Sequence, residues 1–139
     1  MVHKYNIVVD EQQARILVAA LDLYSRIGIG QLTEVVRVYN YEWKTPIPMV
    51  DRLVEVMNEA KRVIGFGPGG SYGIHSPDVH DVFRRAFDIQ CVIRHRLAFD
   101  RTPEGGFGVD FDTPRQIGEL PLPTISHAVP RATKKEEPK

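Results

Sequence analysis

Gly65-Phe66-Gly67-Pro68-Gly69-Gly70-Ser71-Tyr72-Gly73-Ile74-His75-Ser76-Pro77 is the stretch of this chain whose residue types come nearest to a ligand-binding element. Glycine reaches backbone conformations closed to other residues and lets a ligand approach the main chain. The stretch runs into an expected helix start at Ser76-Pro77-Asp78. There serine caps, proline takes the first helical position and aspartate complements the helix dipole. Unpaired N–H groups at such a helix end attract anions. The helix beyond it carries Arg84, Arg85, Arg94, His95 and Arg96, and guanidinium forks match phosphate oxygens. Gly67, Gly69, Gly70, Ser71, Tyr72, His75, Ser76, Arg84 and Arg85 are therefore the expected ligand-binding residues. Tyr72 and Phe66 add faces on which a base or ring can stack.

Other chemistries fare less well. Gly65 to Gly70 formally matches G-x-G-x-x-G, but the dinucleotide-binding form needs a strand before it and a helix directly after it. Here a helix precedes the match. His75, Asp78, His80 and Asp81 crowd together in sequence. On a helix, however, His80 points away from the face shared by Asp78 and Asp81, so no metal site is expected. Arg84 is placed to pair with Asp88 four residues on, neutralising part of the basic face. Cys91 and His95 are also four apart, but mid-helix, away from the helix end that stabilises a thiolate, and Cys91 reads as a packed structural residue. No catalytic residue and no cofactor is assigned. A small hydrolase using His75 and His80 is one alternative. Trp43, between Tyr41 and Pro46, either anchors a partner or covers the core beneath its loop, and the second is expected.

Composition narrows the classes further. The 139 residues suit one domain, and the 42% hydrophobic content supports a core. Eighteen basic side chains balance eighteen acidic ones, which argues against a nucleic-acid polymer as partner. The single cysteine, Cys91, excludes an internal disulfide and fits a reducing compartment. The start lacks the apolar core of a signal peptide, and no run approaches the ~20 apolar residues of a membrane span. A cytoplasmic protein with no membrane association is expected.

Elements that must position these residues follow from periodicity. Residues 5–9 alternate with strand character. Asp10 with Gln13 forms a capping-box pattern at the head of a first helix running to about Ile27. That helix has two apolar stripes, one of Ala14, Leu17, Val18 and Leu21, the other of Ile16, Ala20, Leu23 and Ile27. Two stripes imply burial on much of the circumference, as in a central helix or at an oligomer interface, and a homo-oligomer is expected. After Gly28-Ile29-Gly30 a second helix reaches about Tyr39, and the prolines at 46 and 48 keep residues 41–48 in a loop. A third helix spans about 48–64, with Met49, Val50, Leu53, Met57, Ala60 and Ile64 inward. A fourth runs from Ser76 to about Asp100. Phe107, Val109 and Phe111 alternate, which predicts a second short strand paired with residues 5–9. The expected fold is α+β and mostly helical, with about four helices and a small two-stranded antiparallel sheet. Residues 1–119 form one globular domain and 120–139 a flexible C-terminal tail.

Two blocks of the chain resemble a group of small proteins in tailed-phage and prophage genomes. The first is Val9-Asp10-Glu11-Gln12-Gln13-Ala14-Arg15-Ile16-Leu17 continuing through Ala20-Leu21-Asp22-Leu23-Tyr24-Ser25-Arg26-Ile27-Gly28-Ile29-Gly30-Gln31. The second is Tyr72-Gly73-Ile74-His75-Ser76-Pro77-Asp78-Val79 with Ala86-Phe87-Asp88-Ile89-Gln90-Cys91-Val92-Ile93-Arg94-His95. The resemblance implies a protein of the host-cell cytoplasm that antagonises host defence. Joined to the loop chemistry, it gives a binding protein rather than an enzyme, sequestering a phosphorylated, nucleotide-type small molecule. The alternative partner is a host protein, an enzyme blocked by an apolar patch around Tyr41, Trp43 and Ile47.

Overall fold

Asp10 begins the first helix in the way its sequence requires. Its carboxylate accepts the Gln13 N–H at 2.8 Å, and the Gln13 side chain accepts the Asp10 N–H at 2.9 Å. The structure, a computed structural model, describes residues 2–67 and 69–128. In chain order it has α1 (Glu11–Gly28), a 3-10 turn (Leu32–Glu34), α2 (Val35–Tyr41), α3 (Ile47–Val63), α4 (Asp81–Arg101) and a second 3-10 turn (Val109–Phe111). Residues 129–139 of the expected tail lie outside the described residues.

No strand is present among the described residues, so the expected two-stranded sheet is not formed and the fold is helical. Residues 5–9 lie beside no strand partner, and Tyr5, Ile7 and Val8 are largely exposed. Alternation at 107–111 is broken at Gly108, whose φ of 114° is left-handed. Phe111 turns in against Phe99, edge to face at 5.3 Å, while Phe107 stands in solvent. A single pair of short strands is marginal in water. Here contacts with α4 hold 107–111 instead: Phe111 on Phe99, and Asp110 beside Arg94 and His95.

The body of the protein is α4 lying along α1. Ala14, Val79, Ala86 and Val92 are buried, with Ile29 and Val36 near the first turn. Gly28 is required at this crossing because a Cβ there would overlap the Phe83 ring, which also meets Tyr24 at 5.2 Å. Helix α4 begins at Asp81, five residues later than Ser76. Residues 76–79 form a turn that buries Val79, and the His80 ring accepts the Val82 N–H at 3.4 Å as the cap. One stripe of α1 faces α4. Of the other, Ile16 and Ala20 are exposed. Helix α3 rests chiefly on α2 and the first turn, and its expected inward residues Met49 and Ile64 are exposed.

The segment after α4 is tied back by charge. Asp88 is buried in α4 and accepts the Ile117 N–H at 3.0 Å and the Gly118 N–H at 2.8 Å. It does not pair with Arg84; the main-chain donors of the returning segment take its place. Further on, His127 lies 3.0 Å from the Asp100 carboxylate, which Arg96 also contacts at 2.6 Å.

Two outcomes follow from this packing. Gly28→Ala should cost about 1–3 kcal/mol in denaturant unfolding, because the added methyl overpacks against Phe83. Burial pushes the Asp100 carboxyl up, but the hydrogen bonds of His127 and Arg96 outweigh it and hold the group below its usual range. A depressed carboxyl contributes stability above its unfolded value of about 4, and that stability is lost as pH falls through the lowered folded value. Backbone order parameters at Ile125 to His127 should therefore fall at acid pH as the tether is released, and Asp100→Asn should lower them at neutral pH.

Candidate functional site

The glycine loop folds back on the end of α1. Phe66 lies over Gly30, whose φ of 96° and lack of Cβ admit the ring. Tyr72 meets Phe66 edge to face at 5.2 Å, and its N–H donates to the Ile29 carbonyl at 2.8 Å. Both aromatic faces expected to stack on a ligand are thus engaged with each other. Gly67 and Gly69 are exposed, and Gly70 donates its N–H to the Gly67 carbonyl at 2.9 Å, closing a turn. Ser71 and His75 are exposed, and the Ser76 N–H is bonded to the Gly73 carbonyl.

Arg84 and Arg85 have partners within the protein. Arg84 donates from Nε to the Ile74 carbonyl at 3.0 Å and from Nη2 to the Ser76 carbonyl. It clamps the loop to α4. Arg85 pairs with Asp81 one turn earlier and lies 3.9 Å from Glu119. Of the expected site, then, Ser76 and Arg84 are brought together as a structural clamp, Tyr72 is held separately against Phe66 and Ile29, and Arg85 in α4 faces Asp81 and the returning segment at Glu119. His80 is used as a helix cap, 6.4 Å ring to ring from Phe83. His95 does not face Cys91: its Nδ1 is 3.0 Å from the Asp110 carbonyl, and its ring packs on Phe99 at 4.8 Å. Burial pushes the Cys91 thiol up, which opposes the thiolate form.

A different set of cations converges between α1 and α4. A cleft of about 610 Å³ is walled by Arg15, Asp22 and Arg26 from α1, Arg37 from α2, Gln90, Arg94 and Arg101 from α4, and Asp110. That volume suits a small molecule. Five guanidiniums face two carboxylates in this wall. Each guanidinium also holds an acid close by: Arg15 has Glu11 at 2.6 Å, Arg26 has Asp22 at 2.8 Å, Arg37 has Glu34 at 2.9 Å, and Arg101 reaches Glu11 at 3.5 Å. Hydrogen bonding and charge from Arg15, with a lesser share from Arg101, hold the Glu11 carboxyl below its usual range. Since a guanidinium has five donors, these carboxylates leave most of them uncommitted.

Two buried polar atoms in this wall have no hydrogen-bond partner among the described residues: Gln90 Oε1 and Arg94 Nε. Arg94 Nε is 2.7 Å from Asp110, but its N–H is not aligned with the carboxylate, so the pair attracts by charge without a bond. Gln90 is fully buried, and its amide nitrogen has only the Cys91 sulfur at 3.6 Å. An unpaired buried amide oxygen is costly, and native proteins seldom keep one without a use.

The sequence carried a signal for this cleft. Residues 15, 22 and 26 lie on one face of α1, and 90, 94 and 101 on one face of α4. Only their apposition makes a pocket, and spacing within one helix cannot show it. No family model, curated protein or solved structure matches the chain.

Proposed function

We propose that this protein binds an anionic small molecule of the nucleotide type in the cleft between α1 and α4. The observation that carries this reading is the meeting of Arg15, Arg26, Arg37, Arg94 and Arg101 with the buried, unpartnered oxygen of Gln90. The guanidiniums suit phosphate or carboxylate oxygens. Gln90 Oε1 accepts, so the ligand must also present an N–H or O–H, as a nucleobase or sugar does. A bare inorganic anion meets only half of this requirement. The glycine loop enters indirectly, by bracing the end of α1 through Phe66 and Tyr72. The resemblance to small phage proteins supports a host signal nucleotide as the ligand and sequestration as the outcome.

A panel of mono-, di- and cyclic nucleotides, with inorganic phosphate as control, tests this by thermal unfolding. A true ligand at a hundredfold excess over its Kd adds about 2.7 kcal/mol. Arg94→Ala should abolish the shift. Gln90→Leu should separate function from stability: the ligand-free protein gains about 1 kcal/mol as the orphaned oxygen is removed, while the ligand shift disappears. A Gln90→Leu protein that keeps its ligand shift would remove Gln90 from the site, and a panel with no active member would sink the reading.

A second reading has one observation of its own. Trp43 is 73% exposed and leans on Tyr39 at 6.0 Å, so it does not cover the core. With Tyr41 and Ile47 also exposed, it offers an anchor for a host protein. On this reading Trp43→Ala abolishes capture of that partner, and retention of the partner by the variant excludes Trp43 as anchor.

A further inference from the structure

Helix α3 is an amphipathic helix whose apolar arc is only half covered. Val50, Leu53, Val54, Met57 and Ala60 are half-buried, toward α2 and the Leu32–Glu34 turn. Beside them Met49, Val56 and Val63 are 61%, 41% and 84% exposed. These three recur every seven residues, and Leu53 and Ala60 recur at the same interval four positions on. Together they make the two-row seam by which helices pair. The small Ala60 lets two backbones approach.

The charged row next to this seam selects the occupant. Arg52 and Glu59 are also seven apart and flank the Met49–Val56–Val63 row on the side away from the core. Within one chain Arg52 pairs with Glu55 and Glu59 with Arg62, but the side chains are 74% and 71% exposed, and such solvent-facing pairs are weak enough to exchange for partners across an interface. In a parallel pair of identical helices this row would face the opposite flank, Val50 and Met57, which is apolar. In an antiparallel pair it faces itself, so Arg52 meets Glu59 of the partner subunit and Glu59 meets the partner's Arg52. That match is self-complementary, as a two-fold interface must be. Antiparallel helices also oppose their dipoles favourably. The outer stripe of α1 has no such row, since Arg15, Asp22 and Arg26 line the cleft.

We infer that α3 is a homodimerisation element, pairing antiparallel with α3 of a second copy about a two-fold axis near Val56. Met49 packs near the partner's Val63, and Val56 near the partner's Val56. This interface is independent of the ligand cleft, to which α3 contributes no residue.

Sedimentation velocity on the full chain tests it, with circular dichroism to confirm helicity in each variant. The wild type should be dimeric at about 100 µM, a concentration well above the Kd of a micromolar interface. Val56→Glu sets two carboxylates together on the axis and should weaken the dimer at least about 30-fold. Because Val56 is already solvent-facing, the fold should survive. Arg52→Glu and Glu59→Arg should each weaken the dimer about 10-fold, and the double exchange should restore it. A monomeric wild type overturns the proposal and leaves the face to a foreign partner. A dimer indifferent to Val56→Glu, or a double exchange that fails to recover, overturns it equally.

Discussion

The packing of α4 along α1 depends on close approach at one end of the pair. Gly28 offers no Cβ, so the Phe83 ring lies directly on the backbone at the end of α1 and is closed off by Tyr24. Alanines at 14 and 86 keep the crossing tight along its length. The same approach sets Arg15, Asp22 and Arg26 opposite Gln90, Arg94 and Arg101. Core and cleft are therefore two sides of one helix pair. A change in their spacing alters both.

The buried set is unusually polar for so small a core. Asp88, Gln90, Ser25 and Lys61 are all buried, against six buried apolar residues among those described. Asp88 has a clear structural use, because its carboxylate receives two main-chain N–H groups and fixes the segment after α4. Gln90, two positions on, has no such use in the protein alone. Two buried polar neighbours on one helix thus differ in kind. One is satisfied by the chain and supports the fold; the other has no partner among the described residues and belongs to a residue that lines the cleft.

Arginine chemistry distinguishes the glycine loop from the cleft. A guanidinium near exposed carbonyls binds them when their geometry is good, and Arg84 finds two in the loop itself. The loop was legible as a place where backbone and cations meet, but its cation is consumed locally. In the cleft Arg15 and Arg26 pair with carboxylates one turn away on α1, Arg37 with Glu34 of the preceding turn, and Arg94 and Arg101 with Asp110 and Glu11 from other parts of the chain, and this pairing leaves donors of each guanidinium uncommitted. The exposed faces of α1 and α3 are a separate matter: the core is small because much of the apolar arc of these helices points outward.

Local chemistry settled in the sequence what it can settle there. Asp10 with Gln13 placed the head of α1, Gly28-Ile29-Gly30 its end, and the periodicity the existence of four helices, whereas the loop expected over 41–48 is shorter because Tyr41 ends α2 and Pro48 is tolerated in the first turn of α3. These depend on neighbours within one or two turns. The alternation at 5–9 and 107–111 misled because a strand needs a partner, and periodicity carries no information about whether one arrives. The tertiary structure alone decided that Phe111 meets Phe99, that Asp88 meets the returning chain instead of Arg84, and that two polar helix faces close on one cleft. Each is a contact between residues distant in sequence. Its free energy depends on which groups the packing has already desolvated and paired, and no local pattern encodes that.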